Sequence, residues 1–536
     1  LNLPDCLFPL FPILYAEIHY TLKGFSLVYR PWPEIISDAP HRVEPGQSIP
    51  ILLLIKDAHR FRISLHSVQT VIEYPDGSAE KVDLIDEKIN IHQPWWYHIE
   101  HVRPKPDFSG PLRLHVSFYV QRQGKKKPRI VRTDNYRGTS HRPLTIFVAK
   151  EPYPRFDNWH FGDLHFHSDL TSDQVEFGAP LDATADIARA MGLAFSAVTD
   201  HSYDLDDLAD DYLRNDPHLS KWRSLQDTVQ NIEQEKGFIF LPGEEVSCGN
   251  QRGKNVHLLL LNNRRFFHGT GDSADRWFRN KPENTIPQIL DELDENALAF
   301  AAHPEDAFTF LHRLLLSRGR WNDADYRHAR LNGIQILNGV VDNAFRRGVK
   351  RWIKLLLQGR RIIIIAGNDS HGNFNRFRQL RLPFLCFREH TFHLFGKVRT
   401  CVYTEGKPKR EDIIRGIQNG HCYITTGPAM ILDVKNEKGE SAGLGDRLSG
   451  NRFHLIIRGR STQEFGCLES CKIWLGMLGS KKETLLFQQD RFGGNHTMYH
   501  AQDLQSLVTP SYLRGELITR IEENEYFCLT NPIWLY

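Results

Sequence analysis

Between Asp163 and Asp173 the chain reads DLHFHSDLTSD, with Asp163, His165 and His167 at every second position. On a β-strand that spacing projects the three side chains from one face, with Leu164 and Phe166 on the other. Imidazoles and carboxylates held side by side are ligands for a divalent cation, although the same residues also make an ordinary polar strand surface. Other parts of the chain must decide between the two.

They repeat the theme. The apolar run LAFSAVT ends at Asp200 and His201, FIFLP at Glu244 and Glu245, ALAFAA at His303, and RIIIIAG leads into Asp369 and His371. VHLLLLN opens with His257 instead, so His257 joins the others only if its strand is short or locally antiparallel. GIQILNG, ending at Asn338 and Gly339, is a strand without an obvious ligand. Each piece has a plain reading: Asp200 as a helix cap, Gly243-Glu244-Glu245 as a charged turn, His303-Pro304 as a strand end. Those readings need separate coincidences at successive strand ends, whereas one metal site explains them together. Mixed nitrogen and oxygen ligands suit zinc, manganese or iron better than calcium or magnesium. The inventory exceeds the three or four ligands of a single catalytic zinc, so two or three divalent ions sharing a carboxylate are expected.

Amphipathic stretches separate these runs: LDATADIARAMG, WRSLQDTVQNIEQEKG, TIPQILDELDENA and FRRGVKRWIKLLLQGR. Alternation of this kind predicts βα units and a parallel sheet, and seven strands wrapped by helices predict an α/β barrel whose ligands gather at one mouth. The expected domains are an N-terminal β-sandwich-like domain at 1–155, a (β/α)7 barrel at 156–428 and a C-terminal β domain at 429–536. The flanking assignments rest on short strand-like runs such as VEPGQSIPILLLIKD and EYFCLTNPIWLY.

The bulk numbers agree with a local site. The chain has 536 residues, 67 Lys and Arg against 65 Asp and Glu, and hence a net charge of +2, which supplies no field for nucleic acid or an anionic membrane. Eight scattered cysteines predict neither a disulfide framework nor a zinc finger. The opening run from Leu7 to Tyr15 is broken by Pro9 and Pro12 and is a poor signal peptide. No run approaches the roughly 18 apolar residues of a membrane span. A cytoplasmic protein is expected, with a leader ahead of Leu1 left open.

The order HxH, TDH, GEE, H, HP and DSH resembles the PHP family, named for its polymerase and histidinol-phosphatase members. GDLHFHS, LPGEEVS, GNDSH and RTCVYTEGKPKREDIIRGIQNGHCYITTGP are most similar to its carbaryl-hydrolase-like branch. The resemblance covers Asn158 to Pro428 and implies a distorted seven-stranded barrel holding two or three metals, with hydrolysis of phosphate esters. It implies that His165, His167, Glu245 and Asp369 hold one ion, and that Glu245, His257 and His303 hold another with Glu245 as the bridge. His201 and His371 would serve a further ion or the substrate, and as catalytic groups would carry a proton to the leaving group. Asp173 stands where the phosphatase branch has a histidine and remains a carboxylate ligand candidate. Asp200 is read as an occasional ligand, and Asp163 and Asp200 as carboxylates that could each orient an imidazole. Glu244 is left as a charged neighbour at the rim.

The expected chemistry is attack by a metal-activated hydroxide on a small-molecule phosphoester. Arg252, Lys254, Arg376 and Arg378 are the candidate substrate cations, each with a solvated loop charge as its plain reading. Carbamate, amide or carboxyl-ester hydrolysis is the alternative on the same site, and a noncatalytic metal-stabilised binding module is the alternative of another class. An amidohydrolase barrel also begins with HxH, but VHLLLLN and FIFLPGEE lack the lysine it needs at a middle strand end.

Overall fold

A computed structural model describes residues 32–135, 141–171, 178–273, 280–308, 310–376, 379–382, 385–388, 393–505, 507 and 510–536. The Leu7–Tyr15 run, Asp173 and Arg378 lie outside the described residues. The chain divides into two compact units: Leu1–Pro152 with Ser168–Gly192 and Ser370–Phe395, and Tyr153–His167 with Leu193–Asp369 and Gly396–Tyr536.

In the first unit, Gly110–Arg122 buries Leu112, Leu114, Val116, Phe118 and Val120 at alternate positions, the period of a strand with one face on a core. It pairs antiparallel with Ile63–Glu73, which pairs in turn with Ala79–Ile85 across a turn where Gly77 takes φ +81°. A second sheet joins Glu34–Asp38, Ile49–Lys56 and Trp95–Val102. Ile51, Leu53 and Ile55 from this sheet share one core with Val68, Ile72, Leu114 and Phe118 from the other. The helix Leu181–Ala190 belongs to this unit.

The second unit holds the metal-competent strands, and they do not form a (β/α)7 barrel. Their sheet order is Ile363–Gly367, Gly333–Asn338, Leu298–Ala301, Asn255–Leu261, Ile239–Gly249, Phe195–Val198 and Trp159–His167. The sheet then continues through Arg399–Tyr403 and Cys422–Thr425 into strands of the 429–536 segment. Ile239–Gly249 and Asn255–Leu261 pair antiparallel, as do Asn255–Leu261 and Leu298–Ala301. The cause is local. Asn250 to Lys254 is a short turn, and a parallel return needs a crossover of a dozen residues or more. Strand accounts for 44% and helix for 16% of the described residues.

Two of the expected helices are long. Ser220–Lys236 buries Trp222, Leu225, Val229 and Ile232 along one face and ends at Gly237 in the left-handed conformation. Asn343–Leu357 starts at Asp342, whose side chain accepts from the Phe345 N–H at 2.9 Å. TIPQILDELDENA yields only Ile286–Asp291. Among the described residues no helix is long and apolar enough to cross a membrane.

Beneath the site, Leu241, Leu259, Leu261, Leu298, Phe300 and Ile365 form one apolar cluster, each side chain contributing roughly 1.5–3 kcal/mol of burial. Val256, Leu258 and Leu260 face a second cluster, so strict alternation puts His257 on the other face. Gly367 lies so close to the Trp159–His167 strand that a Cβ there would sit 2.4 Å from the Cβ of His165. Gly367→Ala is therefore expected to cost about 1–3 kcal/mol by overpacking, read as a lowered urea midpoint. An unchanged midpoint would contradict the close approach.

Candidate metal centre

Three strand ends and a hairpin bring the ligands together in the second unit. His165 and His167 end the strand Trp159–His167, and the loop after Ile363–Gly367 is tied to it by N–H donation from Asn368 and Asp369 to the His165 carbonyl, at 3.1 and 2.7 Å. Asp369 holds φ at +51° and His303 at +28°, left-handed values costly for residues with a side chain. Glu245 enters from mid-strand in Ile239–Gly249, two steps along from Gly243, whose Cβ would lie 2.3 Å from the Leu260 carbonyl oxygen. A larger residue there would force the hairpin apart.

Glu245 is the centre. Its Oε1 lies 2.6 Å from His257 Nδ1, 3.0 Å from His303 Nε2 and 3.5 Å from His165 Nε2. Its Oε2 lies 2.9 Å from His201 Nδ1 and 3.8 Å from His167 Nε2. Asp369 Oδ1 stands 3.1 Å from His167 Nε2 and 3.5 Å from His165 Nε2. Within the second unit, among the described residues, two groups have ligand atoms close enough to hold an ion: His165, His167, Glu245 and Asp369, and His201, Glu245 and His257. Glu245 belongs to both. His257 arrives because its strand is antiparallel, placing it opposite Ser247.

The electrostatics fit a cation. Burial alone would raise the carboxyls and lower the imidazoles. Against that, the charges of Glu245 and Asp369 push His165 up to about 9. Burial opposes the charge on Glu245 too, yet the imidazoles of His257 and His165 hold it well below the usual carboxylate range. Asp369 is likewise held well below it, against burial, by His165 and by the hydrogen bond from His167. Burial and the neighbouring His201 lower His167. The two carboxylates thus draw positive charge into a buried pocket, as a proton on His165 or as a metal ion. Nε2 of His165 has no hydrogen-bond partner of good geometry among the described residues, although two carboxylate oxygens stand 3.5 Å away. A nitrogen so placed could ligate a cation.

Other expectations need correction. Asp163 does not orient an imidazole; its carboxylate accepts from the backbone N–H of His165, Asn368 and Gly396 and from Asn368 Nδ2, bracing the backbone. Asp200 is buried, and its carbonyl accepts from the Glu245 N–H at 3.0 Å, but it is in neither ligand group. Glu244 is not at a rim. Fully buried on the opposite face of its strand, it accepts from Ser202 Oγ at 3.0 Å and the Phe267 N–H at 3.2 Å, and burial raises it well above the usual range. Arg252 and Lys254 are exposed in the hairpin turn, where Lys254 Nζ donates to Ser317 Oγ at 3.1 Å. Arg376, 3% exposed, pairs its Nε with Asp38 Oδ2 at 3.0 Å, so its charge is used within the first unit. His371, whose N–H donates to Asn373 Oδ1 at 2.9 Å, keeps its place among the metal-competent histidines.

One residue escaped the sequence reading altogether. Asp272 is buried, forms an ion pair with Arg318 and stands 3.3 Å from His257 Nε2, on the far side of the ring from Glu245. A carboxylate behind a ligating imidazole fixes which nitrogen faces the metal. Asp272 lies outside every apolar run, so no sequence pattern marked it.

No family model matches the chain, and no curated protein matches it. Among solved structures, it aligns with a β-glucuronidase of Bacteroides uniformis at 9% identity and TM-score 0.20, over 94% of this chain and 61% of that one. A β-glucuronidase of Parabacteroides merdae aligns at 8% identity and TM-score 0.17, over 95% and 66%. Trypsin-activated α-2-macroglobulin of Escherichia coli aligns at 7% identity and TM-score 0.16, over 96% and 24%. Similarity this low carries no argument about fold or activity.

Asp272→Ala would leave Arg318 without its buried counter-charge, and a loss of about 3–5 kcal/mol in unfolding free energy is expected by denaturant titration. A loss under about 1 kcal/mol would mean that the pair is readily replaced by water.

Proposed function

We propose that the chain is a metal-dependent hydrolase acting on small-molecule phosphoesters. The observation that carries this reading is a single buried carboxylate, Glu245, shared by two groups of metal-competent side chains. The motif order resembling the PHP family supports it at the level of the ligand set. Two divalent ions of the zinc, manganese or iron type suit these nitrogen and oxygen donors.

Such ions, when bound, supply Lewis acidity and lower the pKa of water. The chain's own residues then have separate tasks. Glu245 would be the ligand common to both ions, its Oε1 lying near His257 and His165 and its Oε2 near His201 and His167. Asp369 and His167 complete the first group, their positions set by the strained backbone at Asp369 and the N–H bonds to His165. His201 turns Nδ1 to Glu245; where it is not taken up as a ligand, Nε2 is the atom at which a proton would pass to a leaving group. His303 sets Nδ1 3.4 Å from Asp306 Oδ2, a second route by which a proton could leave the centre. The apolar layer of Leu259, Leu261 and Phe300 closes the floor and keeps bulk water from competing for these groups.

His165→Ala and Asp369→Ala are each expected to abolish turnover and lower bound metal while leaving far-UV circular dichroism nearly unchanged. Full activity in both would refute the reading. Substrate class is decided by assaying an aryl phosphodiester and an aryl carbamate side by side with added Mn²⁺ or Zn²⁺. Cleavage of the carbamate alone would move the assignment to carbonyl esters. Full metal occupancy without turnover on either would indicate a binding module.

A further inference from the structure

The strand Gly333–Asn338 brings no ligand to the centre, yet it runs directly behind it. Its Gln335 is fully buried, with Oε1 2.8 Å from His165 Nδ1. Gln335 Nε2 donates to Asn338 Oδ1 at 3.1 Å. Asn338 Nδ2 faces two carboxylates, Asp306 Oδ2 at 3.4 Å and Asp369 Oδ2 at 3.5 Å. The polarity of this chain has one consistent solution. Ionised carboxylates only accept, so the Asn338 amide must point its N–H₂ at them and its oxygen at Gln335. Gln335 must then donate to Asn338 and accept from His165, which puts the imidazole proton on Nδ1 and bares Nε2 toward Glu245 and Asp369.

We propose that Gln335 and Asn338 are positioning residues that fix the His165 tautomer and the Asp369 carboxylate together for the first ion. This rests on the metal-centre reading above. The link begins and ends on members of one ligand group, so a single hydrogen-bonded chain orients both. A neutral amide does this without adding charge to a pocket that already holds two carboxylates. The backbone is built for it. Residues three apart on a regular strand project to opposite faces, and a register shift between Gln335 and Leu337 brings Gln335 and Asn338 to the same side.

The test is Zn²⁺ titration of the full chain against a chromophoric chelator, for wild type, Gln335→Met, Gln335→Glu and Asn338→Ala, with circular dichroism as the control for folding. Gln335→Met removes the acceptor at nearly constant volume and is expected to weaken one of the two bound ions 10- to 100-fold, leaving the other within about twofold. Gln335→Glu restores an acceptor for Nδ1–H but loses the donor to Asn338, so an affinity between those of Gln335→Met and wild type is expected. Should Gln335→Met fail to fold, Asn338→Ala decides, with a several-fold weakening of the same ion expected. Wild-type affinity in Gln335→Met or, in that case, Asn338→Ala, equal weakening of both ions, or no recovery with Gln335→Glu would overturn the inference. A wild-type chain that binds no Zn²⁺ would instead overturn the metal-centre reading on which it rests.

Discussion

Glu245 is a carboxylate with no access to water, and such a group is tolerated only where positive charge or hydrogen-bond donors surround it. Five imidazoles lie within 3.8 Å of its two oxygens. They come from segments far apart in sequence, so the whole second unit must be folded before the charge is compensated. Much of the remaining structure serves that one requirement. The apolar floor removes water, the left-handed residues at His303 and Asp369 aim side chains inward, and Asp163 locks the loop after Ile363–Gly367 to the histidine strand.

A buried site of this kind is specified as much by the groups behind the ligands as by the ligands. An imidazole offers two nitrogens, and only a partner on one of them decides which faces the ion. The two sides of the centre solve this differently. His165 presents Nε2 because an amide holds Nδ1, while His257 presents Nδ1 because a carboxylate, itself paired with Arg318, stands behind Nε2. A neutral partner and a charged one give ligands of different basicity, so the two positions are not equivalent even though they share Glu245.

The hairpin between Gly249 and Asn255 has the widest consequence for architecture. A short turn reverses the chain, and that reversal makes the sheet mixed. The same reversal makes the centre possible, since it lays His257 alongside the Glu245 strand. A parallel strand would have carried the first residue of VHLLLLN to the opposite end of the sheet.

What the sequence determined by itself is the local chemistry. Alternation in DLHFH, the glycine before Glu244 and Glu245, and histidines or aspartates at the close of apolar runs follow from short-range rules, and His165, His167, His201, Glu245, His257 and Asp369 were legible from them. The reversal leaves a local mark as well, in the glycines of GNQRGK between two apolar runs. Tertiary structure alone decided which charged side chains are consumed elsewhere, as Arg376 is by Asp38, and which polar residues stand behind the ligands, as Asp272, Gln335 and Asn338 do. Such roles depend on which distant segment packs against a residue, and one-dimensional periodicity carries no information about that.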